Sequence, residues 1–166
     1  MYVGQFENSN EMWPPVSSVA EGVVASLNTH DTPTAVAFYR GLDIDLRREM
    51  GLLNEAEWNL EKEQRRELVR RLQEFLGGGG RTADRPAELD SIVQWLEYLA
   101  RSDARYVLVN LEDLWLEEKP QNVPGTGPER PNWRRKSRCS LKEIIGDDSI
   151  NDILLGIDSC RKLVQE

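Results

Sequence analysis

The sequence predicts an α/β fold in which parallel strands are joined through helices. Three observations carry this. The run Val23-Val24-Ala25-Ser26-Leu27 has the length and composition of a buried strand, and it ends in the polar and ionisable side chains Asn28-Thr29-His30-Asp31. Tyr106-Val107-Leu108-Val109-Asn110 repeats the pattern. Between them lie long stretches of helical periodicity, and strands that alternate with helices pair in parallel.

Residues 1–7 begin in strand character, with Met1-Tyr2-Val3-Gly4-Gln5-Phe6. A chain that opens inside a strand reads as the tail of something longer. Residues 8–21 form a loop marked by Asn8, Asn10, Pro14 and Pro15. Trp13 in that loop serves either to plug it onto the core or as a flat platform for a sugar.

Residues 23–28 are the strand already described. Thr32 is the predicted N-cap of the next helix and Pro33 its first residue, with Gly41 as its stop. A second short helix covers residues 43–50 and ends at Gly51. The longest helix covers residues 54–76, where Asn54 and Glu57 have capping-box spacing. Trp58, Leu60, Leu68, Val69, Leu72, Phe75 and Leu76 supply its apolar face. The mixed charges of residues 61–67 are expected to form a solvated face held by i,i+4 pairs.

Gly77 to Gly80 break that helix. No Lys-Ser/Thr follows and no strand precedes, so the run is a connector and not a phosphate loop. Another helix covers residues 87–101, with Leu89, Ile92, Val93, Leu96 and Leu99 inward and Trp95 and Tyr98 flanking them. Residues 106–110 are the third strand, predicted buried, followed by a short helix at 111–116. Six prolines and glycines keep residues 119–135 irregular. Loops of this length in a compact domain are usually functional. Ser140 with Glu143 caps a short helix, and a last helix covers residues 149–164.

Bulk properties narrow the function. The net charge is −8 and the pI about 4.8. That balance argues against general binding of nucleic acid or anionic membranes, because phosphates select basic faces. The Arg134-Arg135-Lys136 patch is local and does not reverse it. Cys139 and Cys160 have no metal-ligand spacing, so a reducing, cytoplasmic location is the simpler expectation. No apolar run approaches the roughly 20 residues of a membrane span. No ligand spacing calls for a metal or other cofactor.

Two polar clusters remain. His30 is the only histidine, and it adjoins Asp31 at the end of a strand, just before a helix. That is where α/β barrels place their active sites. Asp31 can act there as nucleophile, general base, metal ligand or stabiliser of a positive transition state. It can equally cap the helix, with His30 a satisfied core residue. The second cluster, Gln121 to Arg135, offers amides, a hydroxyl and the Trp133 face within one rigidified loop. Such groups suit neutral polyols, and the plainer reading is a surface loop pinned by Trp133.

At these residues the chain resembles the 4-α-glucanotransferases, the amylomaltase or disproportionating-enzyme family. The resemblance rests on Tyr2-Val3-Gly4-Gln5-Phe6, on Asn28-Thr29-His30-Asp31-Thr32-Pro33-Thr34, and on Asn122-Val123-Pro124-Gly125-Thr126 followed by Pro131-Asn132-Trp133-Arg134-Arg135. Asp43-Ile44-Asp45-Leu46-Arg47 and Gly51-Leu52-Leu53 add to it. The resemblance implies that residues 1–166 are the C-terminal part of a (β/α)8 TIM barrel. They would hold about strands 6–8, with residues 43–101 a mainly helical insert. It implies transfer of an α-1,4-glucan segment with retention, through a glycosyl-enzyme. Asp31 takes the role of the transition-state-stabilising carboxylate, and His30 donates to the same sugar ring. Asn122, with Pro124 or Asn132, lines the donor subsite. Trp13 is a candidate sugar contact on its residue type and loop position alone.

In the family pattern the nucleophile and acid/base lie on earlier strands, and Glu7 is not a substitute for them. The implied partners are α-1,4-glucans and the upstream part of the same barrel. The isolated chain is expected to lack disproportionating activity and, with open strand edges, to aggregate. Two other readings are a non-catalytic glucan-binding module and an interaction protein built on the helices of residues 54–101.

Overall fold

Tyr2, Ala25 and Val107 lie side by side on one face of a three-stranded parallel sheet. The computed structural model describes residues 1–77 and 85–163. Its strands are β1 (Tyr2–Val3), β2 (Val24–Ser26) and β3 (Tyr106–Leu108), in the order β1-β2-β3. Tyr2 pairs with Ala25, and Ala25 with Val107. Parallel neighbours need long crossovers, and here the longer one carries four helices.

The helices are α1 (Ala35–Arg40), α2 (Leu42–Glu49), α3 (Glu55–Leu76), α4 (Ala87–Ala100), α5 (Leu141–Ile145) and α6 (Asp148–Lys162). A 3-10 turn, Leu111–Trp115, follows β3. Ala25 and Leu27 are buried together with Val36, Phe38, Leu72, Ile92, Trp95, Leu96 and Leu99. The five inward residues predicted for α4 are all buried. Trp95 joins them at the centre, with its ring 6.0 Å from Phe38 and 6.1 Å from Tyr39. Gly4 makes a close approach there: an added Cβ would stand 3.0 Å from the indole, and the ring would have to give by a few tenths of an ångström. Ile150, Ile153, Ile157 and Cys160 bury one face of α6. Arg161 then fastens the helix by donating to the carbonyls of Ser102 and Ala104.

Several local signals act as the sequence predicts. Asn54 and Glu57 form both bonds of a capping box, as do Ser140 and Glu143. Gly41 adopts φ 67° and donates its N–H to the last turn of α1. Gly78 to Gly80 and Val164 lie outside the described residues.

Four expectations are corrected. The first strand is shorter than residues 1–7. Its pairing continues to Gln5, whose N–H meets Leu27, but Phe6 then folds back on Val3. Helix α1 starts at Ala35, with Thr34 as N-cap accepting from Ala37 N–H, so neither Thr32 nor Pro33 begins it. The Thr32 hydroxyl is instead engaged with Thr29. β3 is not a buried strand. Alternate side chains point to opposite faces, and Tyr106 and Leu108 are 57% and 49% exposed while Val107 packs inward.

The charge run of α3 is the fourth. It is divided: Glu61, Lys62 and Arg65 face α2, while Glu63, Arg66 and Glu67 keep the solvated face with i,i+3 pairs in place of the expected i,i+4 ones. Arg65 makes a two-pronged bond to Asp43 at 2.9 and 3.1 Å, reaches the Phe38 carbonyl and lies over the Phe38 ring. Lys62 reaches Asp45 and Glu61 holds Arg47. Leu60, by contrast, is 58% exposed and leaves the apolar face.

Candidate active site

The end of β2 becomes a site because Thr29 and Thr32 close a tight turn. Thr29 N–H donates to the Thr32 hydroxyl at 2.8 Å, that hydroxyl donates back to the Thr29 carbonyl, and Thr32 N–H donates to the same carbonyl. His30 and Asp31 form the tip, and both side chains reach solvent, 62% and 49% exposed. The helix-cap reading of Asp31 is therefore excluded, as is a core position for His30. The helix N-terminus is served by Thr34 and by Asp113, whose Oδ1 accepts Ala35 N–H at 2.8 Å.

Asp31 has two partners. Its Oδ1 accepts from Asn122 Nδ2 at 2.6 Å, across 91 positions of sequence. Its Oδ2 lies 3.3 Å from His30 Nε2. The imidazole in turn meets Trp133, with ring centroids 5.1 Å apart and an interplanar angle of 54°. The two polar clusters of the sequence thus come together. What they build is a fixed, solvent-accessible carboxylate beside one imidazole, one amide and one indole face.

The loop from Gln121 to Arg135 is braced internally. Trp133 N–H donates to the Gln121 carbonyl at 2.9 Å, and Trp133 itself adopts φ 60°. Asn132 spends its amide inside the loop, accepting from Val123 N–H and donating to Thr126. Pro124 and Asn122 border a 740 Å³ groove that runs from Asp31 along α2, with Leu46 and Met50 on its apolar side. A 310 Å³ cavity opens on the other side of the tip, bordered by His30, Asn110, Glu112 and Leu108. Trp13 borders neither. Its ring meets the edge of Phe75, and Arg71 lies over it, so it belongs to the outer side of α3. The Glu7 carboxylate accepts from Ser17 at 2.6 Å and ties its own loop.

Beneath the tip lies a buried cluster that the sequence reading missed. Asp113, 1% exposed, accepts from Asn28 Nδ2 through both carboxylate oxygens, at 3.0 and 2.9 Å. Asn28 accepts in turn from Asn110. Burial pushes the Asp113 carboxyl up to about 6, with neighbouring Glu112 adding to the rise, while the Ala35 N–H and Asn28 pull it down. The available signal was a carboxylate three residues after the predicted strand, on a turn between the apolar residues Leu111 and Leu114. Among the described residues, no group of three or more His, Cys, Asp or Glu is placed to hold a metal ion. Both cysteines are free. No described helix is long and apolar enough to cross a membrane.

A sequence model described as 4-alpha-glucanotransferase matches residues 1–141. The chain belongs to the 4-alpha-glucanotransferase family. It is 27% identical over 173 aligned positions to the 4-alpha-glucanotransferase of Haemophilus influenzae, covering 98% of this chain and 24% of that protein. It is 30% identical over 139 positions to the 4-alpha-glucanotransferase of Mycobacterium tuberculosis, covering 78% of this chain and 19% of that one. The crystal structure of amylomaltase from Corynebacterium glutamicum superposes with a TM-score of 0.69 at 20% identity, over 94% of this chain and 25% of that chain. That likeness concerns the fold. The chain thus spans about a fifth to a quarter of the length of these relatives.

Proposed function

We propose that residues 1–166 form the C-terminal part of a (β/α)8 barrel that transfers α-1,4-glucan segments. In this reading β1, β2 and β3 are its sixth to eighth strands, and residues 43–101 are a mainly helical insert. The reading is supported by the incompletely covered second face of the sheet. Val3 and Ser26 on that face are buried, but their neighbour Leu108, and Tyr106 and Met1 beyond, stay exposed. In a closed barrel that second face would be interior and filled by side chains.

The observation that carries the functional reading is the Asp31 carboxylate, exposed at the end of the central parallel strand and held by Asn122 and His30. A pre-positioned anion there stabilises an oxocarbenium-like transition state without reorganising as charge develops. Its two partners spend part of its acceptor capacity and leave the rest for sugar hydroxyls. His30 donates to the same ring, and Asn122 fixes the carboxylate and borders the donor subsite with Pro124. Asn132 contributes by shaping the loop, and Trp13, on the outer side of α3, stands apart from the groove. The nucleophile and the acid/base are supplied from other strands of the barrel, which are this segment's partner along with the glucan.

Incubation of the 166-residue chain with maltotriose tests the division of labour. The expected result is no glucose and no longer maltodextrin. Disproportionation by this chain alone would overturn the assignment of two carboxylates to other strands.

A further inference from the structure

Residues 111–115 are too short to form a site, yet neighbouring side chains of this turn reach in opposite directions. Asp113 points inward and takes Ala35 N–H and Asn28 Nδ2, the groups that flank the 29–34 loop on either side. Glu112 points the other way and accepts from Gln121 Nε2 at 2.5 Å. The Gln121 carbonyl accepts Trp133 N–H, and Asn122 follows directly in sequence. The loop that carries His30 and Asp31 and the loop that carries Asn122 and Trp133 are therefore both fastened to this one turn. We infer that Glu112 and Asp113 are positioning residues that set the distance between the two halves of the site, Asp113 for the His30-Asp31 tip and Glu112 for the Asn122–Trp133 loop.

The chemistry of the two attachments differs. A carboxylate with its donors inside the protein gives a bond that water does not contest, so Asp113 fixes its loop rigidly. Glu112 is only half-buried. Arg135 also stands near it, 3.9 Å away, and is bonded more closely to Glu117. That attachment yields more easily, which lets the Trp133 side adjust to a bound chain while the Asp31 side stays fixed. The inference rests on the glucan reading only for its consequence in catalysis. The attachment itself is a property of the unliganded chain.

The test uses the sole histidine as a probe in the full chain. The ring current of Trp133 shifts the His30 imidazole proton resonances, so their positions report the gap between the two loops. Asp113→Ala is expected to abolish that shift while the amide signals of α3 and α4 persist. Asp113→Asn, which keeps an acceptor for Ala35 N–H, should restore most of it. Glu112→Gln should leave the His30 signals near their wild-type positions, and Glu112→Ala should broaden those of Trp133. Unchanged His30 resonances in Asp113→Ala, with the fold intact, would overturn the inference. Should Asp113→Ala unfold, the comparison of Asp113→Asn with wild type decides it. Asparagine must then hold the His30 shift, and its loss in a folded protein overturns the role. Titration of wild type with maltotetraose is read separately. Failure to perturb His30 would count against the glucan reading and leave the positioning role standing.

Discussion

Two carboxylates close to the ends of neighbouring strands meet opposite fates. Asp113 is walled in, its oxygens taken up by Asn28 and Ala35 N–H, and its carboxyl is raised to about 6 by burial. Asp31 stands in solvent with one amide and one imidazole beside it. Both are aspartates near Asn, Thr and a helix start, so composition does not separate them. Satisfaction does. A carboxylate whose donors are all internal has become architecture, whereas one with acceptor capacity left open to a groove remains available to a ligand.

The largest expected effect comes from removing the available charge. In the complete barrel, Asp31→Asn should lower kcat by about 10²- to 10³-fold with glucan affinity little changed, the signature of a group felt mainly in the transition state. Steady-state kinetics checks this, and wild-type turnover would erase the contrast between the two aspartates. Next comes the architectural charge. Asp113→Ala strands two buried donors and should cost about 2–3 kcal/mol, measured by urea denaturation.

A pH series sharpens the same contrast. The Asp113 carboxyl is raised above its unfolded value, so its contribution to stability is full below about pH 4 and is lost as pH rises through about 6. Wild type should therefore lose roughly 2–3 kcal/mol relative to Asp113→Asn between pH 4 and 7. A flat difference would mean that the carboxyl is not raised. The smallest effect is at the rim. Trp133→Ala should weaken maltotetraose binding by about 1 kcal/mol in calorimetry, with the melting temperature unchanged.

What was legible in the sequence follows from how local each signal is. Capping boxes at Asn54 and Ser140 are decided within four residues and were read correctly. So was the inner face of α4, where burial follows a single helical period. The α1 start was misassigned because two threonines compete, and the winner depends on a turn to Thr29 that the spacing does not reveal. The α3 charge run was read in half, because the partners of its inward members, Asp43, Asp45 and Arg47, sit on another helix. Residue periodicity describes one element at a time and is silent on such pairings. β3 looked buried because its composition is that of a central strand, but Tyr106 and Leu108 have no cover. His30, Asp31 and Asn122 were singled out by motif and the fold brings them together, whereas Asp113 belongs to no pattern that spacing alone would single out.

The bonds that assemble the site span great distances along the chain. Asn28 meets Asp113 across 85 positions, and Asp31 meets Asn122 across 91. Such contacts form only after a large loop has closed, and their reward comes late in folding. The intervening chain includes α1, α2, α3, α4 and β3, so those elements must dock before the carboxylate finds its amide. The site is therefore a natural reporter of complete folding: a chain that has made its helices but not its last crossover would look helical by circular dichroism and leave His30 away from Trp133.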